Sequence, residues 1–149
     1  MNTVSPHEEF CISCRLCETY CATEHSQTRD VLRAFFEEQP KPEKRIFLQQ
    51  YGASAIALNC RHCDEPRCVW ACVSGALTKD PSSGVVRFQS EKCIGCWTCI
   101  VACPYGVIAR DQGGHKIVKC DLCPGREVPA CVTACPNRAL TLEREAVHV

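Results

Sequence analysis

The sequence has no long apolar run and no excess of charge of either sign. Its 149 residues carry 17 basic and 17 acidic side chains, so the formal net charge is zero. A nucleic-acid or acidic-membrane partner would require a basic stripe, so the balance argues against both. No apolar run approaches the roughly 20 residues of a membrane-spanning helix, so we expect no direct membrane insertion. The first residues contain neither a basic start nor an apolar segment, which argues against an export signal and for a cytoplasmic protein.

The apolar content is also low once cysteine is set aside. Hydrophobic residues make up 46% of the chain, but this figure includes 16 cysteines. Without them the fraction falls to roughly 35%, which is thin for a chain that must fold around an apolar core alone. Because the cytoplasm keeps thiols reduced, bound metal is the expected reason for so many of them.

The cysteines fall into four groups of four, and none is left over. Every group opens with C-x2-C and closes with C-x3-C. Groups one to four are, in chain order, Cys11, Cys14, Cys17 and Cys21; Cys60, Cys63, Cys68 and Cys72; Cys93, Cys96, Cys99 and Cys103; and Cys120, Cys123, Cys131 and Cys135.

Three interpretations of these groups compete. A disulfide framework suits an even count, but no export signal accompanies it and cysteines three residues apart would close cramped rings. A structural zinc module suits C-x2-C elements, but tetrahedral zinc needs two of them separated by a longer loop. Cubane iron–sulfur clusters suit the run C-x2-C-x2-C-x3-C-P, whose fourth cysteine binds a different cluster. Cys103-Pro104 and Cys135-Pro136 carry the trailing proline, and we favour this third interpretation.

Short strands are predicted after groups two, three and four, where a similar short sequence motif follows the last cysteine of each group. Turn residues predict two hairpins, which join residues 76–79 to 85–88 and residues 107–110 to 116–119. The last predicted strand, 139–142, needs a partner, and residues 45–49 are the candidate.

The region after group one departs from this pattern. No proline follows Cys21, so its helix is expected to continue. Residues 28–38 place Val31, Leu32, Phe35 and Phe36 at helical spacing, and Pro40 ends the helix. This apolar stripe is interpreted either as core or as a surface that covers a cluster or docks on a partner.

In the order and spacing of its four cysteine groups the chain resembles the four-cluster ferredoxin-like subunits of molybdenum and tungsten oxidoreductases, hydrogenases and carbon monoxide dehydrogenase. The resemblance extends from Cys11 to Leu140. Its most telling stretches are Cys60-Arg61-His62-Cys63-Asp64-Glu65-Pro66-Arg67-Cys68 and Cys93-Ile94-Gly95-Cys96.

The resemblance implies an α+β fold of two ferredoxin-like modules, each with two [4Fe-4S] clusters. The inner module, residues 55–112, would be inserted in an outer one formed by residues 1–54 and 113–149. The resemblance also implies four [4Fe-4S] cofactors whose ligand sets exchange one cysteine each. We name the sets by the exchanged residue: the Cys135 set (Cys11, Cys14, Cys17, Cys135), the Cys21 set (Cys21, Cys120, Cys123, Cys131), the Cys103 set (Cys60, Cys63, Cys68, Cys103) and the Cys72 set (Cys72, Cys93, Cys96, Cys99).

Residues near these groups have predicted supporting roles. Basic side chains should offset the negative charge of the clusters or else form ordinary solvated surface; they are Arg15, Arg61, Arg67, Lys92 and Lys119. His62 is interpreted as a hydrogen-bond donor to a cluster sulfur rather than a ligand. Trp70 and Trp97 either exclude water from a cluster or simply pack.

The predicted function follows from this inventory. No nucleotide-binding glycine loop, no Ser/His/Asp set and no open metal site is visible, so the chain is not expected to be an enzyme by itself. It is expected to relay single electrons to or from a catalytic oxidoreductase subunit. A tungsten or molybdenum aldehyde or formate oxidoreductase is the favoured partner, ahead of carbon monoxide dehydrogenase and hydrogenase. A freely diffusing polyferredoxin, self-association into longer wires and a structural zinc module remain as alternatives.

Overall fold

The structure is a computed structural model that describes residues 2–144. It contains short helices and short strands joined by cysteine-bearing loops. The helices are α1 (Leu16–Glu24), α2 (Val31–Phe36), α3 (Arg67–Trp70), α4 (Thr98–Ala102) and α5 (Ala130–Thr133). The strands are β1 (Asn2–Pro6), β2 (Phe47–Tyr51), β3 (Ser54–Leu58), β4 (Leu77–Lys79), β5 (Val86–Phe88), β6 (Ala109–Arg110), β7 (Ile117–Val118) and β8 (Leu140–Arg144).

The strands form four separate antiparallel ribbons of two strands each, which are β1 with β8, β2 with β3, β4 with β5, and β6 with β7. The predicted α+β class and the two predicted hairpins are confirmed by β4–β5 and β6–β7. In the first hairpin the Asp80 carboxylate accepts hydrogen bonds from the Ser82 backbone N–H and from Arg87. This side chain therefore closes the turn that the sequence indicated.

The predicted pairing of the last strand was wrong. Strand β8 pairs with β1, with Val4 opposite Leu142, and not with residues 45–49. Strand β2 instead turns through Gly52 into β3, with Tyr51 opposite Ser54. Gly52 has φ +56°, which suits a two-residue hairpin turn, and a local hairpin costs less chain entropy than a long-range pair. The N-terminal strand β1 pairs with β8 instead, because this pairing buries Val4 completely.

Helix α2 is shorter than the predicted helix 28–38. Asp30 caps it by accepting a hydrogen bond from the Arg33 N–H at 2.9 Å, and Ala34 is its buried residue. Leu32 is 68% exposed and Phe36 is 79% exposed, so the interpretation of this stripe as core is wrong for both residues. Helix α1 continues past Cys21 to Glu24, as the absence of a proline predicted.

Two apolar clusters form the interior, and both include cysteines. The first contains Val4, Ile46, Leu48 and Leu140 with the cysteines Cys17, Cys21 and Cys131. The second contains Leu77, Val86, Cys99, Ile108 and Ile117. Helix α1 packs on α5, and α3 packs on α4, so groups one and four face each other, as do groups two and three. No helix within residues 2–144 is long and apolar enough to cross a membrane.

Candidate metal centres

The four C-x2-C loops share one backbone feature. The residue before the second cysteine has a positive φ in every group: 58° at Ser13, 49° at His62, 69° at Gly95 and 61° at Leu122. A left-handed residue next to right-handed or extended ones turns successive backbone N–H groups towards one side. This local geometry recurs in each of the four C-x2-C loops. The concavity that it forms suits an anionic group.

Only one of these loops depends on glycine for space. A Cβ atom built on Gly95 would lie 2.8 Å from the backbone oxygen of His115. No non-bonded carbon and oxygen atoms tolerate that distance without movement of the backbone. The loop of group three therefore packs against the turn after β6 more closely than a side chain at residue 95 would allow.

Group one lies beside the last cysteine of the chain. Cys11, Cys14, Cys17 and Cys135 line one cavity, together with apolar residues that include Leu48 and Leu140. Burial raises the pKa of the Cys17 thiol to about 11. The backbone hydrogen bond from Glu18 opposes this rise, whereas the charges of Glu18, Cys14 and Cys11 add to it. The cavity thus holds four sulfur atoms from opposite ends of the chain in a mainly apolar setting.

Group three lies beside the last cysteine of group two in the same way. Cys72, Cys93, Cys96 and Cys99 line a second cavity with Leu77, Phe88 and Ile117. Burial raises the pKa of the Cys99 thiol to about 11, and among the charges that add to this rise Cys72 has the largest effect. Burial also acts on Cys72, but hydrogen bonds from the Leu77 N–H and Ser74 outweigh it and lower the pKa of this thiol.

The remaining eight cysteines form two further neighbourhoods. Burial raises the pKa of Cys63, and the thiols of Cys60 and Cys103 add to the rise. Burial likewise raises the pKa of Cys131 above its usual range, and the charges that add to it lie on Cys120, Cys21, Cys123 and Cys17. The first neighbourhood therefore combines Cys103 of group three with group two, and the second combines Cys21 and Cys17 of group one with group four.

The sixteen cysteines differ in their exposure to solvent. Cys14 and Cys96 are exposed, and they occupy the same place in the matching runs of groups one and three. Six cysteines are buried, namely Cys17, Cys21, Cys60, Cys99, Cys123 and Cys131, and the other eight are partly buried. Two of the four neighbourhoods therefore reach the surface through an equivalent loop.

These residues fit [4Fe-4S] clusters in donor chemistry and in the groups around them. All sixteen cysteines are free thiols, and four of them line each of the two cavities, the number that a cubane cluster needs. His62 is fully buried between Cys60 and Cys63, and its Nε2 has no hydrogen-bond partner among the described residues. Its Nδ1 accepts the Val86 N–H at 3.0 Å, so in the neutral ring Nε2 carries the hydrogen and lacks an acceptor.

Several charged residues that support the site were not predicted. The Asp121 carboxylate binds Arg45 and His25 Nε2, the latter at 3.1 Å, directly beside group four. Burial would raise the pKa of Asp121, but the bonds to His25 and Arg45 outweigh it and hold the pKa below its usual range. The position of His25, four residues after Cys21 at the C-terminal end of α1, was the only sequence signal for these charged contacts.

Glu18 is a second unpredicted carboxylate beside a cysteine. It is buried next to Cys17, and its Oε1 accepts hydrogen bonds from the Leu48 N–H at 2.9 Å and from Lys44 at 2.6 Å. Arg15 donates to its other oxygen at 3.0 Å. Arg15, predicted to offset cluster charge, is therefore engaged by Glu18 in this structure.

The other residues predicted around the groups have varied environments. Arg67 and Lys92 are exposed, Arg61 is partly exposed, and Lys119 is buried. Trp70 is 66% exposed, so it does not pack in the interior, and its shielding of a cluster stays a prediction. Trp97 packs against the second apolar cluster, and the Arg110 guanidinium lies 4.5 Å from the centre of its ring.

Comparison with known proteins is consistent with this arrangement. The 4Fe-4S dicluster domain family matches residues 53–145. The electron transport protein HydN of Escherichia coli is 38% identical over 146 residues, which cover 87% of this chain and 81% of HydN. The NADH-dependent phenylglyoxylate dehydrogenase subunit beta of Aromatoleum evansii is also 38% identical, over 93% of this chain but 29% of that subunit.

A solved structure shows the same fold at lower identity. A chain of the active site complex BamBC of benzoyl coenzyme A reductase aligns with all of this chain and 81% of its own length, with a TM-score of 0.53 and 20% identity. The thiol neighbourhoods and these relatives define an iron–sulfur electron-transfer protein. The chain belongs to the 4Fe-4S dicluster domain family.

Proposed function

We propose that this chain binds four [4Fe-4S] clusters and relays single electrons to or from a separate catalytic oxidoreductase subunit. The observation that carries the proposal is the presence of sixteen free thiols, four of which line each of two cavities. When bound, such clusters accept and release one electron at a time. The chain is not proposed to transform a substrate itself.

The proposed ligands are the Cys135, Cys21, Cys103 and Cys72 sets. Support comes from the two cavities lined by the Cys135 and Cys72 sets and from the thiol charges that act on Cys63 and Cys131. The proposed modules follow the same division. Residues 55–112 would form the inner module and residues 1–54 and 113–149 the outer one. The two separate apolar clusters support two modules, but Ala57 packs in the first cluster and Ile117 in the second, so the clusters do not coincide with these boundaries.

The protein contributes burial, hydrogen bonds and order. Backbone N–H groups of the four loops and the Arg45 N–H, which lies 3.2 Å from Cys21 Sγ, stabilise negative charge on the sulfur atoms. Burial raises the pKa of thiols such as Cys17, Cys21 and Cys99, so iron must displace their protons when it binds. The apolar cavities keep water from the buried cysteines Cys17 and Cys99, whereas Cys14 and Cys96 are exposed.

We propose a catalytic oxidoreductase as the partner, and a tungsten or molybdenum aldehyde or formate oxidoreductase remains the favoured kind. Carbon monoxide dehydrogenase and hydrogenase are the other candidates. The relatives named above are described as a dehydrogenase subunit, an electron transport protein and part of a reductase complex, which supports an oxidoreductase in general. The exposed apolar residues Leu32 and Phe36 favour a docked subunit over a freely diffusing polyferredoxin, whose surface should be polar.

Metal analysis of the native protein tests the proposal. The protein would be purified without oxygen, and iron, tungsten, molybdenum, nickel and zinc would be measured across one size-exclusion peak. The expected result is about 16 iron atoms per chain in a large peak that also contains tungsten, molybdenum or nickel. The same iron content in a small peak would indicate a free carrier. A colourless protein with zinc and no iron would overturn the cluster proposal.

A further inference from the structure

Lys119 is a buried cation at the junction of groups two and four. It directly precedes Cys120, and its side chain belongs to a residue that is 3% exposed. Its Nζ donates to the Val86 carbonyl oxygen at 2.7 Å and to the Cys120 carbonyl oxygen at 2.6 Å. An ammonium has three N–H donors, so one remains after these two bonds.

No carboxylate among residues 2–144 balances this charge. The nearest acidic neighbour in sequence, Asp121, is already bound by Arg45 and His25. His62, which is packed nearby, is neutral, because burial and the charge of Lys119 together lower its pKa to about 3. Lys79, which also acts on His62, carries the same sign as Lys119. A buried cation without a counter-ion is unfavourable, so another negative group must face it.

Lys119 lies between the loops of two different ligand sets. Its Nζ binds the carbonyl oxygen of Cys120 in one loop and that of Val86, whose N–H donates to His62 in the other loop. Burial raises the pKa of Cys68 to about 11, and the charge of Lys119 acts against this rise. Burial raises the pKa of Cys120 to about 12, where the thiols of Cys21 and Cys60 add to the rise and Lys119 again opposes it. Cys68 belongs to the Cys103 set and Cys120 to the Cys21 set, so one ammonium acts on both.

We propose that Lys119 is the shared counter-ion of the Cys103 and Cys21 sets and that its charge raises the reduction potential of the clusters that they hold. The inference rests on the proposed ligand sets. Each reduction adds one electron and therefore one negative charge, and a fixed positive charge in a water-excluded site stabilises the reduced form.

Lys116 provides a matched control within the same segment. Its Nζ donates to the carbonyl oxygens of Ser90 and Cys93, at 2.8 Å and 2.6 Å, so it also holds the backbone of a cysteine loop. Lys116 is partly exposed rather than buried, and water screens its charge. Loss of a lysine from a cysteine loop can therefore be separated from loss of a buried charge.

The test compares wild type with Lys119→Met, Lys119→Gln, Lys119→Arg and Lys116→Met. Each holoprotein would be purified without oxygen, its iron counted, and its clusters titrated with dithionite while the electron paramagnetic resonance signal is followed. We expect Lys119→Met and Lys119→Gln to lower the reduction equilibrium constant of two of the four clusters about tenfold, which is about 59 mV for one electron. Lys119→Arg keeps the charge and should keep the wild-type values, and Lys116→Met should change them by less than about threefold.

Each other outcome has a defined meaning. Full iron content with unchanged reduction potentials in Lys119→Met would overturn the inference. Wild-type reduction potentials in Lys119→Gln would also overturn it, because a hydrogen bond without a charge would then be enough to set the potentials. If Lys119→Met and Lys119→Gln fail to retain iron while Lys119→Arg retains it with wild-type potentials, a requirement for charge is supported. Loss of iron in all three variants would overturn it in favour of a packing role. A wild-type protein without four clusters would instead contradict the proposed function.

Discussion

His62 and Lys119 bind opposite sides of the same residue. His62 Nδ1 accepts a hydrogen bond from the Val86 N–H at 3.0 Å, and Lys119 Nζ donates to the Val86 carbonyl oxygen at 2.7 Å. Val86 is itself 1% exposed and belongs to β5. The loop of group two and the segment that enters group four are therefore joined through one buried backbone unit.

Replacement of His62 should destabilise the protein by removing one half of this junction. In His62→Phe the buried Val86 N–H loses its acceptor, and we expect a loss of about 1–3 kcal/mol in the free energy of unfolding. His62→Asn should lose less, because an asparagine oxygen can accept a hydrogen bond and asparagine tolerates a positive φ. Denaturant unfolding of the iron-loaded proteins measures the difference. Equal stability of His62→Phe and wild type would show that the bond contributes nothing.

The proposed exchange of cysteines predicts which double substitutions are additive. Cys135→Ala and Cys14→Ala belong to the same proposed set, so each alone and both together should remove one cluster, or about four iron atoms per chain. Cys135→Ala combined with Cys103→Ala, which belongs to another set, should remove two. Iron analysis and the electron paramagnetic resonance spectrum of the remaining clusters give the count. Additive loss in the first pair would mean that Cys135 and Cys14 serve different clusters.

Removal of iron should unfold the interior. Cysteines such as Cys17, Cys21 and Cys131 lie within the first apolar cluster, where they stand in place of ordinary apolar side chains. Their order depends on iron, because binding free energy at such sites is folding free energy. Treatment with a chelator and an oxidant should therefore abolish cooperative thermal unfolding measured by circular dichroism. An iron-free chain that still melts cooperatively at the original temperature would contradict this expectation.

Local features of this protein were predictable from sequence, whereas long-range pairings were not. The turn through Asp80 joins strands that are close in the chain, so its residues alone indicated the β4–β5 hairpin. The pairing of Val4 with Leu142 involves segments at opposite ends of the chain, and neither contains a signal for the other. The burial of Lys119 was hidden for the same reason, because its acceptor on Val86 lies 33 residues away in the chain.

Gly95 and Gly106 provide a test of how closely the group three loop is packed. Both have a positive φ, 69° and 62°, so alanine at either position incurs similar backbone strain. A Cβ on Gly95 would also meet the His115 oxygen at 2.8 Å, whereas a Cβ on Gly106 would have nothing within 4 Å. Gly95→Ala should therefore lower stability by about 1–3 kcal/mol more than Gly106→Ala, through the overpacking that the extra contact causes. It should also lower the iron content of the Cys72 set, whose cluster signal can be followed by electron paramagnetic resonance during denaturant unfolding. Equal effects of the two substitutions would mean that the turn at His115 moves away freely and that only the strained φ matters.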